Sequence, residues 1–222
     1  LDKVIEQGFT TIKVKVGKDV KLDLKKISHI QNHINGRAKI RIDANRGYSE
    51  DEGCQFVKGL RPDYIELFEQ PCNTNDWKAN AAVAKCSSVP IMLDEPICNI
   101  SDIEKAYKIE GVKLCKLKLK RFISVVKLIE AIKIAHNLGL EIVLGDGLGT
   151  EINCWMEARI ANGLIDNAGE YNGFIKIKPE ARILLNPLKF DNGYLIIPKN
   201  WILEIDSDKL QKYSIVSETI YK

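Results

Sequence analysis

Long apolar runs are missing from this 222-residue chain, and none approaches the roughly 18 residues that a membrane-spanning helix needs. No signal-peptide pattern is present either. An excess of one charge is also lacking: Lys and Arg number 33, Asp and Glu 30, for a formal net charge of +3. That is too small to expect nucleic acid or an anionic membrane surface as partner. The six cysteines (Cys54, Cys72, Cys86, Cys98, Cys115, Cys154) form no CxxC pair and no metal-ligand spacing. They read as reduced thiols of a cytosolic, cytoplasmic protein, most of them packed in the core. Histidine is scarce. His29, His33 and His136 all fall in helical patterns, and His29 with His33, four apart on one helix, reads as a solvated face. A glycine-rich dinucleotide fingerprint is absent, since Val16-Gly17-Lys18 does not supply it. What remains is an ordinary globular composition, 45% hydrophobic and 28% charged, sufficient for one sizeable core.

Short β-rich runs alternate with helical patterns along that chain. The runs are 10–16, 39–44, 64–69, 91–94, 114–120, 141–144 and a weaker one near Glu170. Between them, apolar residues recur at helical spacing, as in Leu24, Ile27, Ile30 and Ile34, or Val125, Leu128, Ile129, Ile132 and Ala135 before Gly139. Residues 1–8 read as the end of a helix, and Trp155, Met156 and Ile160 as core. Ser49 with Glu52, and Ser101 with Glu104, have the spacing of capping boxes. One polar residue closes each run: Lys15, Asp43, Glu69, Asp94, Lys118, Asp146 and Glu170, at intervals of 28, 26, 25, 24, 28 and 24 residues. A strand, a returning helix and two short loops need about that length. Such uninterrupted units predict an α/β fold, a (β/α) TIM-type barrel, in preference to an open sheet.

The barrel also gives the charges a place. Lys13 and Lys15 share one strand face, with Ile12, Val14 and Val16 on the other. Arg41, Asp43 and Asn45 oppose Ile40, Ile42 and Ala44; Lys116, Lys118 and Lys120 oppose Cys115, Leu117 and Leu119. The apolar faces pack under the helices and the charged faces point into the barrel. Isolated charges there are too costly, so cations and carboxylates must face one another or share a metal. Charged residues at the carboxyl ends of barrel strands read as catalytic. Asp43, Glu69 and Asp94, ending consecutive units, would converge and demand a counter-ion. An all-oxygen set suits Mg²⁺ first and Mn²⁺ second, and the lack of Cys or His there argues against zinc.

Lys13-Val-Lys15, Asp43-Ala-Asn45, Glu69-Gln-Pro71, Asp94-Glu-Pro96 and Lys116-Leu-Lys118 stand in the order and spacing of a known family. The chain resembles the enolase superfamily, in its mandelate racemase and muconate-lactonizing branch, from about Gly8 to Pro198. The resemblance implies that Asp43, Glu69 and Asp94 hold the metal and that Lys15 is an acid/base. Lys118 would stand across the substrate, chosen over Lys116 and Lys120 from its distance to Ile123-Ser124, where the family carries a small pair. Histidine is absent from Leu144-Gly-Asp146-Gly-Leu-Gly149, so the chain looks like the lysine/lysine type. The activity implied is removal of the α-proton of a small-molecule carboxylate, with a metal-stabilised enediolate, as racemase, epimerase or cycloisomerase. A lysine is a base near neutrality only where nearby positive charge lowers its pKa, and Lys13 and a cation would supply that charge. Asn45, Lys116, Asp146 and Glu170 are expected around substrate or metal, with Glu95 on the other face. The alternatives are a dehydratase or other lyase on the same site, and a non-catalytic barrel fragment.

Full-length members carry an N-terminal α+β capping domain and one barrel strand before the Lys13 strand, and neither is found here. The expectation is therefore a barrel domain over 1–190 lacking its first strand. A tail over 191–222 would pack on the cap. Arg121, Ile123 and Ser124 replace the family's lysine and glycine pair. A homo-oligomer is among the forms that the resemblance allows.

Overall fold

A computed structural model of the chain describes residues 1–145 and 149–218. After a short helix α1 (Asp2–Glu6), the chain alternates β1 (Thr11–Lys15), α2 (Val20–Ile34), β2 (Lys39–Asp43), α3 (Glu50–Gly59), β3 (Ile65–Glu69), α4 (Trp77–Cys86), β4 (Ile91–Leu93) and α5 (Ile100–Tyr107). It continues through β5 (Val112–Leu117), α6 (Leu119–Phe122), α7 (Val125–Asn137), β6 (Glu141–Leu144) and α8 (Glu151–Ala161). The six strands pair in sequence order and all in parallel, giving a curled (β/α) barrel sheet. A lone parallel bridge, Gly145 with Glu170, stands where a weak seventh run was expected. Beyond it come α9 (Asn172–Lys176), a 3₁₀ turn, the hairpin β7 (Lys189–Asp191) and β8 (Tyr194–Ile196), and α10 (Ser207–Tyr213). The hairpin spans the boundary expected near residue 190 and packs back: Leu195, Ile197 and Trp201 rest on Cys154, Phe174 and Leu188. Among the described residues no helix is long and apolar enough to cross a membrane.

Strand alternation sorts the interior into layers. Val14, Ile40, Ile42, Phe68, Ile91, Leu93, Cys115, Leu117, Ile142 and Leu144 face the helices in the main core. Leu67, Met92, Leu114 and Val143 form a separate buried cluster inside the barrel. Each such side chain contributes roughly 1.5–3 kcal/mol on burial. Two residues further along their strands stand Glu69, Asp94 and Lys116, so a charged layer lies on an apolar plug. Ser49 and Glu52 form a capping box as expected. The second box sits two residues earlier than expected: extended Asn99 accepts the Asp102 amide and Asp102 accepts the Asn99 amide, which leaves Ser101 inside the first turn. The fifth strand also ends early. Lys118 is the N-cap of α6 and Lys120 lies within that helix, so Lys120 does not share the inward face of Lys116. Among the described residues no cysteine forms a disulfide; Cys54 and Cys86 touch, with sulfurs 3.2 Å apart, and Cys98 is exposed.

Asp23 fixes the loop that follows Lys15. Its Oδ2 accepts the amides of Gly17, Lys18 and Asp19 and the Tyr48 hydroxyl, while Oδ1 pairs with Lys26 at 3.1 Å. Gly17, at φ +101°, packs so closely on Gly47 that a Cβ on Gly47 would meet the Gly17 carbonyl at 2.3 Å, which locks the two loops together. Burial alone would raise the Asp23 carboxyl, but the Lys18 amide, the Tyr48 hydroxyl, Lys26 and the Gly17 amide outweigh it and hold it at about 2. A depressed carboxylate contributes stability that is present above its ordinary value near 4 and lost as pH falls through about 2. Asp23→Asn should therefore cost about 2 kcal/mol at pH 7. Urea unfolding at pH 7 and pH 2 checks this: the deficit should shrink at the lower pH.

Candidate active site

Asp43 and Glu69 close β2 and β3 in register, and Asp94 follows β4 directly. All three are buried, and each is met by a basic side chain. Lys13 Nζ lies 2.9 Å from Asp43 Oδ2, 2.6 Å from Glu69 Oε2 and 3.0 Å from Glu170 Oε2. Lys15, 61% exposed at the mouth, donates to Asp43 Oδ2 at 2.6 Å and also to Asn45 Oδ1. Lys118 donates to Asp94 Oδ2 at 2.7 Å, and Arg121 pairs with Asp94 Oδ1 at 2.8 Å and donates to its carbonyl. Lys116 is fully buried, 3.3 Å from Glu69 Oε1 and hydrogen-bonded to Glu170 Oε2. Asn45 turns its own amide onto Asp43 Oδ1 at 2.8 Å.

The structure thus gathers Lys13, Lys15, Asp43, Asn45, Glu69, Asp94, Lys116, Lys118 and Glu170 at one end of the barrel. Asp146 lies outside the described residues. Lys120 lies exposed within α6, and Glu95 turns aside to pair with Arg46 at 3.3 Å. Two participants escaped the sequence reading as site residues. Arg121 reaches back from α6 to Asp94; its place three residues after Lys118, on the same face once the strand becomes helix, was the available signal. Arg41, 1% exposed, makes a two-pronged pair with Glu66 and donates to the Ala168 carbonyl at 2.7 Å. The register of β2 against β3 shifts at this point, with Ile40 opposite Ile65 and Arg41 opposite Leu67, so Glu66 is the extra residue of a bulge. A cavity of about 410 Å³ opens between β1 and the segment before Tyr171, reaching the cluster at Lys13, Arg41 and Glu170.

The electrostatics divide the group. Burial pushes the Glu69 carboxyl up to about 7, only partly offset by Lys116 and Lys13. Burial acts on Glu170 in the same sense, but there Lys116 and Lys13 prevail and hold it at about 2. Asp43 and Asp94 are held below the usual carboxylate range: against burial, Lys13 dominates for the first and Lys118 with Arg121 for the second. Lys13 is held as an ammonium far above neutrality, since Glu69, Glu170 and Asp43 outweigh its desolvation. It is a fixed positive charge and not a proton acceptor.

Among the described residues no three carboxylate, thiol or imidazole groups are gathered closely enough to ligate one ion. Lys13, Lys118 and Arg121 lie against Asp43, Glu69 and Asp94 and supply counter-charge to them. The donor set still fits a hard cation. It is all oxygen, and Glu69 Oε2 and Asp94 Oδ1 are buried with ion-pair contacts but no hydrogen bond of acceptable geometry.

Comparison with known proteins agrees with this architecture. The D-Ala-D/L-Ala epimerase of Cytophaga hutchinsonii is 28% identical over 159 residues, covering 72% of this chain and 43% of that protein. The N-succinyl-L-Arg/Lys racemase of Bacillus cereus is 24% identical over 229 residues, covering 98% of this chain and 59% of that one. The muconate lactonizing enzyme of Pseudomonas putida superposes with a TM-score of 0.86 at 22% identity, over 96% of this chain and 60% of that structure. The chain thus spans about half the length of the relatives it matches. Residues 1–201 match the enolase C-terminal domain-like family. The chain belongs to that family, in the mandelate racemase and muconate-lactonizing branch that its strand-end motifs resemble.

Proposed function

We propose that this site serves an enzyme that removes the α-proton of a small carboxylate substrate and returns it, as a racemase or epimerase or, with one lysine moving protons, a cycloisomerase. The observation that carries the reading is the placement of Lys15 and Lys118 at the ends of β1 and β5, flanking the carboxylates of β2, β3 and β4. A group on each flank can take a proton from one side of a planar intermediate and deliver one from the other. Lys13, a permanent ammonium beside Asp43 and Glu69, favours the anionic state formed when the proton leaves. Asp43, Glu69 and Asp94 would hold Mg²⁺ or Mn²⁺, whose charge would stabilise the enediolate. Lys116 and Glu170 hold the floor of the site, and Asn45 fixes Asp43 and Lys15.

The relatives' names make dipeptides and N-acylated amino acids the first substrates to try. In D₂O with Mg²⁺, loss of the α-proton NMR signal should appear for at least one of them. Lys15→Ala and Lys118→Ala should each stop exchange from one antipode while sparing the other. Full exchange from both antipodes in Lys118→Ala would remove that residue from the proposed role.

A further inference from the structure

Asp94 is poorly held by its own strand. β4 is only three residues long and ends at Leu93, and its ladder to β3 pairs only Phe68 with Ile91 and Glu69 with Met92. Sheet hydrogen bonding therefore stops short of the residue whose carboxylate matters. What continues it is Gln70. This residue is fully buried and sits at φ +39°, a left-handed conformation that costs a non-glycine residue roughly 1–2 kcal/mol. Its amide N–H donates to the Met92 carbonyl at 2.9 Å and its carbonyl accepts the Arg46 amide at 2.9 Å. Its side-chain Oε1 accepts the Asp94 amide at 2.9 Å, and Nε2 donates to the Cys72 carbonyl at 2.9 Å. Asn80, also buried, backs the network: its Oδ1 accepts the Cys72 amide at 3.1 Å, and its Nδ2 donates to the carbonyls of Asn73 and Asp76.

One residue thus joins the ends of the strands that carry Asp43, Glu69 and Asp94. A glycine would adopt this backbone without strain, yet it could not reach the Asp94 amide. The left-handed turn moves Gln70 out of the alternation, so its side chain runs sideways to β4 where a strand residue would point in or out. Backbone strain kept at such a place marks a constraint that the surroundings enforce.

We propose that Gln70 is a positioning residue, which sets the Asp94 carboxylate against Glu69 through the Asp94 main-chain amide. The proposal rests on the reading of the site as a cation-assisted proton-transfer centre. It differs from a packing role because the acceptor oxygen alone carries it. Gln70→Met keeps the volume and removes the acceptor; Gln70→Glu keeps an acceptor oxygen and removes the donor.

The test is Mg²⁺ titration calorimetry on the whole chain, with circular dichroism melts of each variant. Gln70→Met should bind Mg²⁺ at least about tenfold more weakly, the loss typical of removing a group that orients a metal ligand. Gln70→Glu should stay within about threefold of the parent affinity even where its melting temperature falls as far as that of Gln70→Met. Equal affinity in Gln70→Met and the parent would overturn the proposal. So would equal weakening in a folded Gln70→Glu, since the acceptor would then not be what matters. Should Gln70→Met fail to fold, the Gln70→Glu comparison still decides. A parent chain that binds no Mg²⁺ would instead defeat the reading of the site.

Discussion

Lys116→Met should destabilise the chain by about 3–5 kcal/mol, and Lys118→Met should destabilise it clearly less. Both lysines meet carboxylates, but their surroundings differ. Lys116 is 2% exposed between Glu69 and Glu170, and removing it leaves two buried carboxylates with less counter-charge. Lys118 is nearer the mouth, and its partner Asp94 keeps Arg121 at 2.8 Å when the lysine is lost. The contrast also separates two possible assignments of the second proton-transfer group. A lysine buried in a double ion pair serves the fold, while a lysine whose carboxylate keeps a second cation can be lost with less harm to it. Urea unfolding at pH 7 measures the difference.

The pH dependence gives a second view of the same pair. Glu170 lies below its ordinary value, so its contribution is present above about pH 4.5 and is lost as pH falls through about 2. Without Lys116 that depression should shrink, Lys13 remaining at 3.0 Å, and the variant should lose less stability than the parent between those limits. An equal loss in both chains would show that Lys116 does not hold Glu170 down.

Much of this arrangement was legible in the sequence because a strand repeats every two residues. Lys13 and Lys15 against Val14 and Val16, or Asp43 against Ile42, can face only one way once the strand is recognised. The interval of some 25 residues then places successive charges at the same end of the barrel. Where the reading failed, a distant residue decided. Lys116-Leu-Lys118-Leu-Lys120 continues the alternation without a break, but the Leu119 amide donates to the buried Glu157 carboxylate at 2.7 Å, 38 residues away. That contact turns the chain into α6, and no local pattern announces it. The Asn99 cap competes with Ser101 two positions on, and both residue types suit the role. The Arg41–Glu66 pair depends on a one-residue shift in register, which periodicity by its nature conceals. Spacing along the chain likewise does not show that Lys13, Lys118 and Arg121 lie against the three carboxylates.

Mg²⁺ should bind the chain, and Asp94→Asn should weaken that binding by at least about a hundredfold, since loss of even an outer partner of a ligand costs 10–100-fold. An amide keeps the shape of Asp94 but removes the charge that Lys118 and Arg121 now answer. The pH dependence has a definite sign. Burial holds Glu69 protonated below about pH 7, and a proton there competes with a cation. Affinity should therefore rise about tenfold per pH unit up to about 7 and level off above it. In the metal-free chain the same raised value acts the other way. The stabilisation due to protonated Glu69 is complete below about 4.5 and lost as pH rises through about 7. Added Mg²⁺ should thus raise the melting temperature most on the alkaline side, where the ionised carboxylate lacks its proton and a cation can replace it. Calorimetry at pH 5.5, 6.5 and 7.5, with melts beside it, separates this from simple surface binding. A pH-independent isotherm that Asp94→Asn leaves unchanged would mean that Mg²⁺ binds elsewhere and that Lys13, Lys118 and Arg121 are the permanent counter-charge of the three carboxylates.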